Sequence, residues 1–138
     1  MIPRHLMIAF AEIGIREVNG SGSNARVDEY LKTVDLSDDS TPWCSAFVNW
    51  CIETSGIKGT RNPAARSWLN WGVSCKPQLG CIVVLKRGNF SWQGHVGFYL
   101  NDEGDRIYLL GGNQANMVCV KSYLKSDVLD YRKVEDDE

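Results

Sequence analysis

Two residues carry the reactive potential of this chain: Cys44 and His95. Cys44 falls where the pattern predicts the first turn of a buried helix. Unpaired backbone N–H groups and the positive end of the helix dipole lie there and favour thiolate over thiol. The same N–H groups suit the oxyanion formed when a carbonyl is attacked. The ordinary alternative is a buried structural cysteine, the commonest fate of a free thiol. Cys51, two turns further along the same predicted helix, fits that role. His95 follows Gly94 at the predicted start of a strand, where alternation puts His95, Gly97 and Tyr99 on one side. Flanking glycines leave room for a helix or substrate to approach. The other histidine, His5, reads as structural.

A cysteine–histidine pair needs a third group to fix the imidazole tautomer. The following strand ends in Gly111-Gly112-Asn113-Gln114. In an antiparallel hairpin the end of the second strand lies beside the start of the first. Asn113 or Gln114 is therefore expected to accept a bond from His95 Nδ1–H, with Asn113 preferred, and a shift of one residue would exchange them.

The elements that must position these groups divide the chain. Helices are expected at residues 6–13 and at 27–34, where Val27, Tyr30, Leu31 and Val34 form one stripe. A third, apolar nearly all round, is opened by Pro42 and ended by Gly56. A short fourth has Asn62 as cap and Gly72 beyond its end. Residues 19–24 and 37–41 read as polar loops. Strands are expected at 80–86, 94–100, 105–111, 117–120 and 128–133, with a turn at 101–104. Helices first and an antiparallel sheet second imply an α+β domain over residues 1–134, followed by an acidic disordered tail at 135–138.

Composition narrows the function. The 138 residues carry 15 Lys and Arg against 17 Asp and Glu, a formal charge of -2. This argues against a general polyanion binder, and no cluster of Lys and Arg overturns it: Lys86 and Arg87 are a pair and not a patch. No segment has the roughly 20 apolar residues of a membrane span, and Glu12 and Arg16 interrupt the only N-terminal apolar run. Cytoplasmic synthesis without a leader is expected. The five cysteines are odd in number and lack Cys-x-x-Cys spacing, so neither structural zinc nor a disulfide framework is expected. No cofactor and no metal are called for.

Five tryptophans are many for this length. Trp50 and Trp68 read as core. Trp43, Trp71 and Trp92 are candidates to line a substrate groove, and Arg66 to grip a substrate carboxylate. For Arg66 a plain surface salt bridge is an equal alternative.

The pieces TPWCSAFVNWC (41–51), AARSWLNWG (64–72), LGCIVVLKRG (79–88), GHVGFYL (94–100) and LLGGNQAN (109–116) together resemble the NlpC-type and CHAP-type cysteine peptidases and amidases of bacterial cell-wall peptide. The closest likeness is to a phage- and prophage-associated subgroup. IGIREVNGSGSNARVDEYL (13–31) extends the likeness over nearly the whole chain. The resemblance implies a papain-like fold, with Cys44 as nucleophile, His95 as base and Asn113 as the third polar residue. The sequence departs at Cys81, where the family usually has an acidic residue, and at Gly111, where many CHAP enzymes have glutamate.

The implied activity is peptidoglycan hydrolysis through an acyl-enzyme, as an endopeptidase or amidase, in an endolysin, a virion module or a bacteriolytic antibacterial effector. The implied partners are stem peptides and an immunity or delivery protein, with no nucleic acid and no membrane insertion. Two other readings keep the fold: an intracellular protease or isopeptidase, and an inactive binding module.

Overall fold

The structure is a computed structural model, described here over residues 2–18, 24–35 and 43–135. Pro42, the loops expected at 19–24 and 37–41 apart from Asn24, and all of the acidic tail except Glu135 lie outside the described residues.

Helix α1 (Arg4–Phe10) starts and ends earlier than its apolar pattern suggests. Helix α2 (Ala25–Lys32) is capped by Asn24, whose side chain accepts the Arg26 N–H at 2.8 Å. Val27, Tyr30 and Leu31 on it are buried, as is Val34 in the turn beyond its end. Helix α3 (Cys44–Thr54) is buried over most of its length, including Ser45 and Asn49. Gly56, at φ +95°, ends it in the left-handed conformation. The expected fourth helix is a shorter 3-10 segment, Ala65–Asn70. The Asn62 side chain accepts the Ala64 N–H before it, and Trp71 follows its end.

Six strands follow: β1 (Val73–Ser74), β2 (Ile82–Lys86), β3 (Gly94–Glu103), β4 (Arg106–Gln114), β5 (Met117–Leu124) and β6 (Val128–Lys133). They form one antiparallel sheet in the order β1-β6-β2-β3-β4-β5. The sequence pattern missed β1. It also placed the β3–β4 turn too early: the strands run on to Glu103, and the turn is Gly104-Asp105, with Gly104 at φ +59°.

Alternation along the strands separates two apolar layers. Ile82, Val84, Val96, Phe98, Leu110 and Val118 pack with the helices. Cys81, Val83, Leu85, Tyr99, Ile107 and Leu109 form a second cluster, joined by Tyr123 and Tyr131. Apolar side chains on both sides explain why Ile82–Leu85 reads as an unbroken apolar run. The segment after α1 lies along β5, through Gly14 N–H to Val118 O at 2.9 Å and Val118 N–H to Ile15 O at 2.7 Å. It brings Glu17 to the Trp43 indole N–H at 2.7 Å. No helix among the described residues is long and apolar enough to cross a membrane.

Candidate active site

Helix α3 packs across β3 and β4. Its first residue, Cys44, is 5% exposed. Close approach here depends on Gly112, because a Cβ at that position would lie 2.6 Å from Phe47 Cβ and 2.8 Å from the Trp43 ring. Cys44 and His95 are brought to one place. The backbone N–H of Val96, the residue after His95, acts on the Cys44 sulfur, together with the N–H groups of Ser45 and Cys44 at the helix start. Burial is nevertheless the largest influence on Cys44 and raises its pKa. The helix terminus moderates that rise and does not reverse it, so the resting group is a thiol.

His95 is 1% exposed and lies opposite Leu85 in the β2–β3 ladder. Its Nε2 lies 2.9 Å from Gln114 Oε1. The Gln114 amide N–H groups donate to Cys119 O at 2.7 Å and Leu109 O at 3.3 Å. The oxygen facing the ring can only accept, so His95 Nε2 carries the proton. Nδ1 is then the lone-pair nitrogen. It is buried and has no hydrogen-bond partner among the described residues. The expected arrangement had the amide on Nδ1; the ring is turned the other way, with the amide on Nε2. Burial, opposed by the Gln114 bond and reinforced by Arg87 and Lys121, pushes the His95 pKa down to about 4.

The amide on His95 belongs to Gln114 and not to Asn113. Simple alternation would put Asn113 on the same side of β4 as Gly111. The β4–β5 register shifts between Gly111 and Gln114, and Asn113 takes φ +56°. This irregularity turns Gln114 back over Gly111, where a Cβ would stand 2.6 Å from Gln114 Oε1. Gln114 thus fills the space that a side chain at position 111 would take. Tyr123 was not foreseen. Its hydroxyl is 3.1 Å from His95 Nε2 and its ring centroid 5.2 Å from the imidazole. It arrives from β5, and no local motif announces it.

The other candidates separate. Trp43 is fully buried and stacks on Tyr30, so it presents no face to a groove. Trp71 donates its indole N–H to Lys58 O and lines a pocket of about 360 Å³ with Pro3, His5, Ile52 and Leu79. Ile52 is eight residues along α3 from Cys44, about 12 Å at 1.5 Å per residue. That pocket is therefore at the far end of the helix. Arg66 donates its Nε–H to Gln93 O at 2.7 Å and thereby fastens the loop before β3. In that loop Trp92 is 71% exposed and stacks on the exposed Phe90. His5 is structural in geometry, with Nε2 2.6 Å from Gly80 O. Among the described residues there is no cluster of three or more His, Cys, Asp or Glu able to hold a metal.

Solved structures share this fold. One is a protein described as similar to a lipoprotein of the NLP/P60 family, from Staphylococcus aureus subsp. aureus Mu50, with TM-score 0.58 and 19% identity. That match covers 96% of this chain and 41% of the other. A second is the wild-type endolysin LysIME-EF1, with TM-score 0.60 and 11% identity, covering 97% of this chain and 65% of the other. The chain thus spans less than two thirds of either relative. No curated protein matches the sequence. Residues 36–113, more than half of the chain and including Cys44, His95 and Asn113, match the CHAP domain, and the chain belongs to that family.

Proposed function

We propose that this chain is a peptidoglycan hydrolase that cleaves an amide bond of cell-wall stem peptides through a Cys44 acyl-enzyme. Membership of the CHAP family and the likeness to an endolysin fold support the substrate class. One observation carries the mechanism: a buried imidazole nitrogen with no hydrogen-bond partner among the described residues, on the residue next to the amide that faces the Cys44 sulfur.

His95 Nδ1 takes the Cys44 proton as the sulfur attacks the carbonyl carbon. The backbone N–H groups of Cys44 and Ser45 at the start of α3 receive the oxyanion. Gln114 Oε1 holds Nε2–H and supports the imidazolium while it forms. Nδ1–H then protonates the leaving amine, and the C–N bond breaks to leave a thioester. Water, deprotonated by Nδ1, attacks the thioester, and the sulfur recovers its proton as the acid leaves.

The test is digestion of purified peptidoglycan with mass analysis of the fragments. Wild-type protein releases peptide fragments and Cys44→Ala releases none while keeping its circular dichroism and melting temperature. Undiminished hydrolysis by Cys44→Ala overturns the mechanism. Products from a protein panel with none from muropeptides would overturn the substrate.

A further inference from the structure

Overall the chain carries a small negative charge, 17 acidic against 15 basic residues. Among the described residues the charge around the site has the opposite sign. Those whose charge acts on Cys44, His95 and Tyr123 are Arg87 and Lys121, both cations. The ladder explains the first. Leu85 lies opposite His95 and Lys86 opposite Gly94, so Arg87, the next residue, leaves β2 beside the start of the strand that carries His95. Lys121, on β5, holds its ammonium 5.7 Å from the Tyr123 ring centroid, and the Tyr123 hydroxyl reaches His95.

Both cations are exposed, and neither takes part in a described ion pair. The pairs that are described use Arg26, Arg61, Lys125 and Arg132 instead. Arg66, the arginine that the sequence nominated for substrate, already has its Nε–H on a backbone carbonyl.

We propose that Arg87 and Lys121 form an anion subsite that takes a free carboxylate of the peptide substrate beside the scissile bond, with Arg87 as the principal contact. This rests on the peptidase reading above. Arginine suits the task because its planar fork matches a carboxylate with paired N–H donors. Lys121 supplies a second, less directional charge. A substrate whose carboxyls are amidated keeps its shape and loses this attraction. The site would therefore discriminate between acidic and amidated stems by charge.

The test uses two synthetic stem peptides of identical sequence, one with free glutamate and terminal carboxyls and one with both as amides. Wild-type kcat/KM should favour the acidic peptide about tenfold, the scale of one charge-assisted hydrogen bond, and mainly through KM. Arg87→Gln should bring the ratio close to one, and Lys121→Gln should lower it less. Using the ratio cancels any effect of Arg87 on the Cys44 thiol, which both peptides meet equally. The preference should also shrink as salt is raised.

A wild-type ratio near one overturns the subsite while leaving the hydrolase intact. So does a preference that survives Arg87→Gln. If neither peptide is cleaved, the hydrolase reading fails separately. Titration of Cys44→Ala with the same two peptides then decides the subsite: equal affinities overturn it, and a tenfold difference abolished by the added Arg87→Gln supports it.

Discussion

His95 and Gln114 are joined at 2.9 Å through Nε2 and Oε1, and each is 1% exposed. A buried amide whose own N–H groups are tied to Cys119 O and Leu109 O cannot turn over, so it fixes one imidazole tautomer.

Gln114→Ala should lower kcat by about ten- to a hundredfold, part of the 10²–10⁴ that a positioned base contributes. Asn113→Gly, which keeps the left-handed backbone, should cost less than threefold on the same reasoning. Gln114→Glu places a carboxylate on Nε2–H and favours imidazolium, so the His95 pKa should rise from about 4. The acid limb of kcat/KM then moves to higher pH. Steady-state kinetics from pH 3.5 to 8 checks all three, and equal losses at positions 113 and 114 would remove the assignment.

Stability should follow the same imidazole. His95 has a folded pKa near 4, against 6.5 when unfolded. Between those values the unfolded chain binds a proton that the folded chain refuses, so stability is full above 6.5 and is lost as pH falls toward 4. Over the whole window this is about 3 kcal/mol at 1.36 kcal/mol per unit. His5 is also lowered, first by burial and despite its bond to Gly80, and acts in the same direction. Urea unfolding at pH 7 and pH 5 should differ by about 2 kcal/mol from His95 alone. His95→Gln should remove most of that difference.

Much of this arrangement was legible in the sequence for physical reasons. The stripe at Val27, Tyr30, Leu31 and Val34 and the turn at Gly56 report local periodicity and a left-handed backbone, and both are properties of a few adjacent residues. Cys44 at a helix start and His95 at a strand start were readable in the same way. Which amide meets the imidazole was not. It depends on the irregularity at Asn113, which reverses alternation by one residue and leaves no mark in a hydrophobic pattern. Trp43 misled because its type suits both a groove and a core, and only the packing of α2 against α3 decides between them. Tyr123 reaches His95 from β5, and Lys121 lies against Tyr123, through register alone.

The two glycines at the end of β4 should fail differently. Gly112→Ala drives a methyl to 2.6 Å from Phe47 Cβ, which is anchored in the helical core. It should destabilise the fold by about 1–3 kcal/mol. Gly111→Ala puts a methyl 2.6 Å from Gln114 Oε1 and must displace an amide held by His95, Cys119 and Leu109. Its cost should appear in kcat, approaching that of Gln114→Ala, with about 1–2 kcal/mol in stability from the broken hydrogen bonds. Kinetics beside thermal melts separate the two, and an unchanged kcat for Gly111→Ala would contradict the packing described.

Asn49 links helix α3 to the chain beyond it. It is fully buried. Its Oδ1 accepts the Arg61 N–H at 2.7 Å, and its Nδ2 donates to Ser45 O at 3.0 Å and Thr60 Oγ1 at 3.2 Å. Ser45, the residue after Cys44, donates to Asn62 O and accepts the Trp68 indole N–H. Asn49→Ala leaves the Arg61 N–H and the Thr60 hydroxyl without this partner and opens space beside Gly59. That should cost about 2 kcal/mol and lower Tm by roughly 5–10 °C for a chain of this size. Because Ser45 keeps two other partners, the first turn of α3 should hold its place, and kcat at 25 °C should fall less than about threefold. A large kcat loss with an unchanged Tm would mean that Asn49 acts on the reaction itself and not on the scaffold beneath it.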